Sequence, residues 1–374
     1  MYKLFETEKK ELTKARKKAY KQFNKEILNH EKQKQNNDFL LEKEQELLKT
    51  FKNFDINIII NKKINSFQSI YFIIAPEKKE DLKNMIKNKK MLEYYLQTEI
   101  KQDKSNYIIE YQKEQKNILY LYDIIENKNK NSINVNIGKD SNGEAVNINI
   151  EKLPHLLACG TTGSGKSVFI NDLITSLIYN YTPEEISLFL VDPKKTELKA
   201  FENISHLYFD IINDIESTNL LLDFLIDTMY QRYDILEKND CKNIQEYNEK
   251  HKNKKMKFLI CIIDELADLM LQDKKNIERK LCRIAQLSRA CGIHLIVATQ
   301  RPSTDIITGL IKSNFPSRLC FKVASIYDSR TILDTKGGEQ LQGNGEALLK
   351  TANNTDIIKL QTPFVSSEEL EKIL

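Results

Sequence analysis

Residues Cys159–Asn171 read "CGTTGSGKSVFIN", and Gly160, Thr161, Thr162, Gly163, Ser164, Gly165, Lys166 and Ser167 fit GxxxxGK[ST] without adjustment. The pattern carries a mechanism only in the right setting. An apolar stretch, "HLLACG", leads in and "SVFINDLITSLIYNY" leads out, so the spacing predicts strand, loop and helix. Glycines there let backbone N–H groups and the helix N-terminus face a phosphate anion. Lys166 is placed to reach the β- and γ-phosphates of ATP, and the Ser167 hydroxyl to ligate Mg²⁺. The alternative is a glycine-rich turn without a ligand.

Outward from the loop, apolar runs of strand length ("ISLFLVD", "KFLICIIDE", "IHLIVATQ") alternate with helix-periodic stretches ("TNLLLDFLIDTMYQRYDILEK", "KKNIERKLCRIAQLSRACG"). Such alternation predicts an α/β fold with a largely parallel sheet covered by helices on both faces. Ahead of it, Asn142-Gly143 between alternating apolar stretches signals a hairpin.

Residues 54–126 have a different rhythm. "INIIINKKI" and "QSIYFIIAP" read as strands, "EKKEDLKNMIKNKKMLEYYLQ" as a helix, and "NYIIEYQKEQKNILYLYDII" as two strands around a polar turn. The expected organisation is a charged helical segment over 1–53, a small α+β domain over 54–126 and the α/β domain over 127–374. The first segment shows no sustained heptad repeat, and an exposed appendage and a partner-binding coil both fit it.

Three further positions complete the chemistry. "FLICIIDELADLM" puts Asp264 and Glu265 at the end of an apolar strand, Asp264 to hold Mg²⁺ through its water shell and Glu265 to orient and polarise the attacking water. A DE pair after a strand is otherwise an ordinary helix N-cap. Gln300, in "VATQRPS", is carried to the same sheet edge, where an amide senses the γ-phosphate; a plain polar strand end is the alternative. Arg318 and Arg330 follow closely, and either guanidinium suits a developing phosphoryl charge supplied from a neighbouring subunit. Either also suits a structural ion pair, Arg330 with Asp328 or Asp334 for instance.

Together these residues resemble the FtsK/SpoIIIE family of DNA translocases. "LPHLLACGTTGSGKSVFIN", "VDPKKTELKAFENISHL", "MYQRYDILEKNDCKNIQEYNEK", "IIDELADLM", "AQLSRACGIHLIVATQRPSTDIITGLIKSNFPSRLCF", "DSRTILD" and "GGEQLQGNGEALL" follow in the family's order, and 54–126 is similar, more weakly, to the family's small α domain. The resemblance implies a RecA-like P-loop NTPase, ATP-driven and hexameric, around double-stranded DNA. Arg318 would then be the trans-acting finger, with Arg330, Lys350 and Lys359 as DNA contacts. A related ATPase driving protein secretion is the alternative function.

Ser205 stands where the family usually has proline before His206. Membrane helices at the start and a winged helix after Leu374 are missing from the sequence, so a mobile-element relative is expected, moving plasmid, conjugative-element or phage DNA. Recruitment by a membrane channel or a relaxase partner fits that reading.

Composition adds little. Of 374 residues, 29% are charged and 41% hydrophobic, and no apolar run nears the roughly 18 residues of a membrane span. The opening has no signal-peptide core, so a cytoplasmic location is expected. A net charge of +4 diagnoses no nucleic-acid binding by itself. Six cysteines without a CxxC pair read as packed thiols rather than a metal site or disulfides.

Overall fold

The structure, a computed structural model, describes residues 38–65, 69–113, 118–125, 132–152, 155–352 and 354–374. Residues 1–37 of the expected charged segment lie outside the described residues. The rest divides into two units, one drawn from 38–119 and 139–144 and one from 120–138 and 145–374.

In the smaller unit, helices α1 (Asp38–Asn53) and α2 (Lys79–Leu96) accompany strands β1 (Ile58–Asn65), β2 (Ser69–Pro76), β3 (Ile100–Asp103) and β4 (Asn106–Gln112). The sheet order is β1-β2-β4-β3, antiparallel throughout. Leu47 and Phe51 of α1 are fully buried in the same core as Ile70, Phe72, Ile74 and Ile109. Helix α1 is thus integral to this unit, and the expected boundary after residue 53 cuts through its core. The second strand expected in "NILYLYDII" is not formed. Residues 121–123 make a single 3₁₀ turn, and Tyr120 only bridges to Phe364.

The larger unit holds a nine-stranded sheet in the order β6-β5-β13-β12-β11-β7-β10-β9-β8. Its parallel centre comprises β7 (His155–Cys159), β8 (Ile186–Val191), β9 (Phe258–Ile263), β10 (Ile293–Thr299) and β11 (Ser317–Phe321). The flank contains β5 (Asn134–Asp140), β6 (Ala145–Asn149), β12 (Glu346–Thr351) and β13 (Asn354–Gln361), with β11–β12 and β12–β13 antiparallel. The sheet is therefore mixed around a parallel core. The hairpin signal is met: Gly143, at φ +80, sits in the turn joining β5 and β6.

Alternation along each central strand sends its side chains into two layers. Leu259, Cys261 and Ile263 of β9 face one core, and Phe258, Ile260 and Ile262 face the other. Helix α3 (Lys166–Asn180) contributes Phe169, Ile170 and Leu173 to the second layer. Helices α4 (Ile215–Lys238) and α6 (Leu266–Leu287) fill the first, through Leu221, Leu225, Ile277 and Leu281. Burial on both faces explains why these strands read as continuous apolar runs. The remaining helices are α5 (Ile244–Lys250), α7 (Gly309–Asn314), α8 (Ile326–Leu333) and α9 (Ser367–Ile373). All six cysteines are buried free thiols.

Candidate functional site

The phosphate loop joins β7 to α3 and is pinned on both sides. Gly160 N–H donates to the Thr299 carbonyl at 3.3 Å, and Thr161 N–H to the Lys322 carbonyl at 3.0 Å. Gly165, at φ +105, has no room for a Cβ, which would lie 2.4 Å from Gly345 N. At Gly163, φ +77, a Cβ would meet no atom within 4 Å, so the backbone is open to an approaching ligand.

Lys166, at the start of α3, points across to the end of β9. Its Nζ donates to the Asp264 carbonyl at 2.9 Å and to Asp264 Oδ1 at 3.0 Å. Asp264 is fully buried, and its Oδ2 has no hydrogen-bond partner among the described residues. Burial pushes the Asp264 carboxyl up, and the Lys166 ammonium works against that shift. An orphaned buried carboxylate oxygen, with the Ser167 hydroxyl in the first turn of α3, is an all-oxygen donor set suited to Mg²⁺.

Glu265 caps α6 through Ala267 N–H at 3.3 Å. Its carboxylate also accepts from Thr299 Oγ1 at 2.6 Å and from Gln300 N–H at 3.1 and 3.2 Å. The N-cap reading and the catalytic reading of the DE pair are thus both geometrically available to one side chain. Gln300 sits at the end of β10, and its Oε1 accepts from Thr162 Oγ1 at 3.0 Å, so its amide touches the phosphate loop.

The fold thus brings Lys166, Ser167, Asp264, Glu265 and Gln300 to the carboxyl ends of adjacent parallel strands, the edge where such sheets bind ligands. Sequence reasoning missed three neighbours. Lys194 reaches Glu265 Oε2 at 3.4 Å from the turn after β8, and Asp192 builds that turn by accepting from the N–H groups of Lys194, Lys195, Glu197 and Leu198. Both follow a buried parallel strand, the signal that located Asp264 and Gln300. Thr299 was the other omission.

The arginine expected as a trans-acting finger is placed differently. Arg318 lies in β11, is 7% exposed, and donates to the carbonyls of Phe315 (2.9 Å), Ile332 (3.1 Å) and Lys312 (2.7 Å) and to Asp334 Oδ2 (2.7 Å). Four of the five N–H donors of its fork are thus spent inside its own chain. Asp334 also gathers Lys312 at 2.7 Å and Lys350 at 2.8 Å. Burial alone would raise the Asp334 carboxyl, but the hydrogen bonds from Lys312, Lys350 and Arg318 hold it well below the usual carboxylate range.

Of the three expected DNA contacts, Lys350 is tied to Asp334 and to the Leu333 carbonyl, and Lys359 pairs with Glu346 at 2.8 Å. Arg330, on α8, is exposed. Neither Asp328 nor Asp334 is paired with it; Asp328 caps α8 with Ser325.

Residues 120–304 match the model of the FtsK/SpoIIIE family. The chain belongs to the FtsK/SpoIIIE family. Over 252 residues, 66% of its length, this FtsK/SpoIIIE chain is 47% identical to the DNA translocase FtsK of Leptospira interrogans. It is 42% identical over 260 residues, 68% of its length, to the DNA translocase FtsK of Caldanaerobacter subterraneus. It spans only 27% and 37% of those two relatives.

Among solved structures, the FtsK/SpoIIIE chain is similar to the pCW3 conjugation coupling protein TcpA, at TM-score 0.64 and 24% identity, covering 89% of this chain and 98% of that one. It also resembles the type VII secretion ATPase EccC of Thermomonospora curvata, at TM-score 0.55 and 24% identity, covering 64% of this chain and 30% of that one. These likenesses establish a P-loop NTPase-like fold, a mixed sheet with a mostly parallel core between helices. No helix among the described residues is long and apolar enough to cross a membrane.

Proposed function

We propose that the chain is an ATP-driven double-stranded DNA translocase working as a homo-hexamer. The observation that carries this reading is the joint placement of Lys166, Asp264, Glu265 and Gln300 around the open phosphate loop, in a chain 47% identical over this region to a DNA translocase.

Lys166 neutralises phosphate charge once it exchanges its contact with Asp264 for the nucleotide. Ser167 and Asp264 would hold Mg²⁺, which when bound would supply charge neutralisation to the phosphates. Glu265 orients the attacking water and draws on its proton, while Gln300 carries the state of the loop, through Thr162, to the segment beyond β10. Arg330 is the best placed of the three expected cations to contact the DNA backbone, because its guanidinium is exposed; Lys350 and Lys359 would first have to leave their carboxylates.

The cargo we infer is plasmid, conjugative-element or phage DNA. The likeness to a conjugation coupling protein over 89% of the chain is consistent with it. A cytoplasmic motor recruited by a membrane channel or relaxase completes this reading. ATP turnover stimulated by duplex DNA, together with displacement of a third strand from a triplex substrate, is the expected result. Turnover indifferent to any DNA but raised by a secretion-signal peptide would replace it with the protein-secretion reading, which the EccC likeness supports at the level of fold.

A further inference from the structure

Glu265 is crowded for a general base. Its Oε1 accepts from Thr299 Oγ1 at 2.6 Å, Gln300 N–H at 3.2 Å and Ala267 N–H at 3.3 Å, and its Oε2 from Gln300 N–H at 3.1 Å and Lys194 Nζ at 3.4 Å. A carboxylate offers about four lone-pair sites, and four donor groups occupy them. With the residue only 1% exposed, no acceptor site is left for a water to be activated. The base is in place but already engaged.

The four donors differ in how they could let go. Ala267 and Gln300 contribute backbone N–H groups fixed by the start of α6 and the end of β10. Lys194 is a long side chain, 39% exposed, on a turn outside the sheet. Thr299 makes the shortest contact, and its hydroxyl is bonded in two directions: it donates to Glu265 and accepts from Arg301 N–H at 3.1 Å. A hydroxyl has one proton to give, so donation to the carboxylate holds only while the hydroxyl keeps this orientation. The Arg301 amide that helps set the orientation opens segment 301–308, which contains no helix or strand.

We propose that Thr299 is a positioning residue that keeps Glu265 engaged at rest, and that movement of segment 301–308 on contact with duplex DNA releases the carboxylate for water. Thr299 thereby couples the load to the hydrolytic step. This inference rests on the reading of the chain as a DNA-stimulated ATPase.

The test is steady-state ATPase of the full chain, with and without duplex DNA, for wild type, Thr299→Val, Thr299→Ser and Lys194→Met. A hydrogen bond to a charged group weights the held state by roughly tenfold. Thr299→Val should therefore raise the DNA-free kcat by about fivefold or more and shrink the stimulation ratio correspondingly, with KM for ATP within about twofold. Thr299→Ser, which keeps the hydroxyl, should restore the wild-type ratio. Lys194→Met changes a partly exposed side chain and provides the same readout if Thr299→Val does not fold: its DNA-free rate should rise by about threefold.

A Thr299→Val enzyme whose rates with and without DNA fall in proportion, or stay at wild-type values, overturns the assignment. So does an unchanged Lys194→Met rate should the valine variant not fold. Wild type that hydrolyses ATP without any response to duplex sinks the motor reading itself, a result visible before any variant is compared.

Discussion

The ammonium of Lys166 lies 3.0 Å from Oδ1 of Asp264 and 2.9 Å from the Asp264 carbonyl, with both side chains nearly inaccessible to solvent. Each partner is therefore costly to remove alone, because the other is left buried without compensation. Lys166→Ala should abolish nucleotide binding and also lower unfolding free energy by about 3 kcal/mol. Lys166→Met combined with Asp264→Asn should recover most of that stability while remaining inactive. Urea titration of the single and double variants distinguishes the effects; an unchanged midpoint for Lys166→Ala would mean the pair contributes nothing at rest.

Replacing Glu265 with Gln keeps the size and the ability to accept the Thr299 hydrogen bond but removes the basic carboxylate. Turnover should fall by about 10²-fold or more with ATP still bound. Single-turnover measurement with a fluorescent ATP analogue separates binding from hydrolysis. Hydrolysis at the wild-type rate would show that another group activates the water.

Two buried imidazoles tie stability to pH. Burial, helped by the neighbouring His294, pushes His155 down to about 3, and burial pushes His206 down to about 4 against the bond from its Nε2–H to the Tyr181 carbonyl. An unfolded histidine titrates near 6.5, so between that pH and the folded values the unfolded chain binds more protons. Their stabilising contribution is complete above pH 6.5 and is lost on acidification. From pH 6.5 to 5 the loss should be about 2 kcal/mol per imidazole. Denaturation midpoints at the two pH values check this, and His155→Asn should flatten the dependence.

The two arginines should behave oppositely. Arg318→Ala takes the guanidinium donor from three carbonyls and removes one of the three cations that hold Asp334, and should cost about 3 kcal/mol of stability. Arg330→Ala should leave stability unchanged and reduce the slope of log affinity for DNA against log salt by about one. Thermal unfolding and salt-dependent DNA binding, run on the same two proteins, decide it. A stable Arg318→Ala protein defective only in mixed hexamers would restore the finger reading.

What could be read from the sequence was what is local. The phosphate loop is contiguous, and its flanking strand and helix follow from apolar periodicity, so Lys166 and Ser167 needed no tertiary information. Asp264 and Gln300 were legible because they end apolar strands. Thr299 was not: a threonine closing a strand is ordinary until β9 and β10 are known to be neighbours, which places its hydroxyl on Glu265. The intrachain bonding of Arg318 was hidden for the same reason, since residues 312, 315, 332 and 334 collect around it only in three dimensions. Strand β3, "IKQD", has one buried residue in four and so no apolar alternation to betray it. The aliphatic and aromatic residues near 119–125 imitated a strand, although Leu119, Leu121, Ile124 and Ile125 are buried without forming one.

Gly345 approaches Gly165 closely enough to exclude a methyl group, donates its N–H to the Ser164 carbonyl at 2.9 Å, and receives Thr362 N–H and Oγ1 at its own carbonyl. Evolution therefore cannot retouch the two ends of this contact independently. In a saturation library, positions 343–345 should form an intolerant island as sharp as 160–167, although almost two hundred residues separate them along the chain. The tip between β12 and β13, a few residues farther on, should accept tags and insertions. An architect of reporter fusions would place the label at that tip and leave its root untouched.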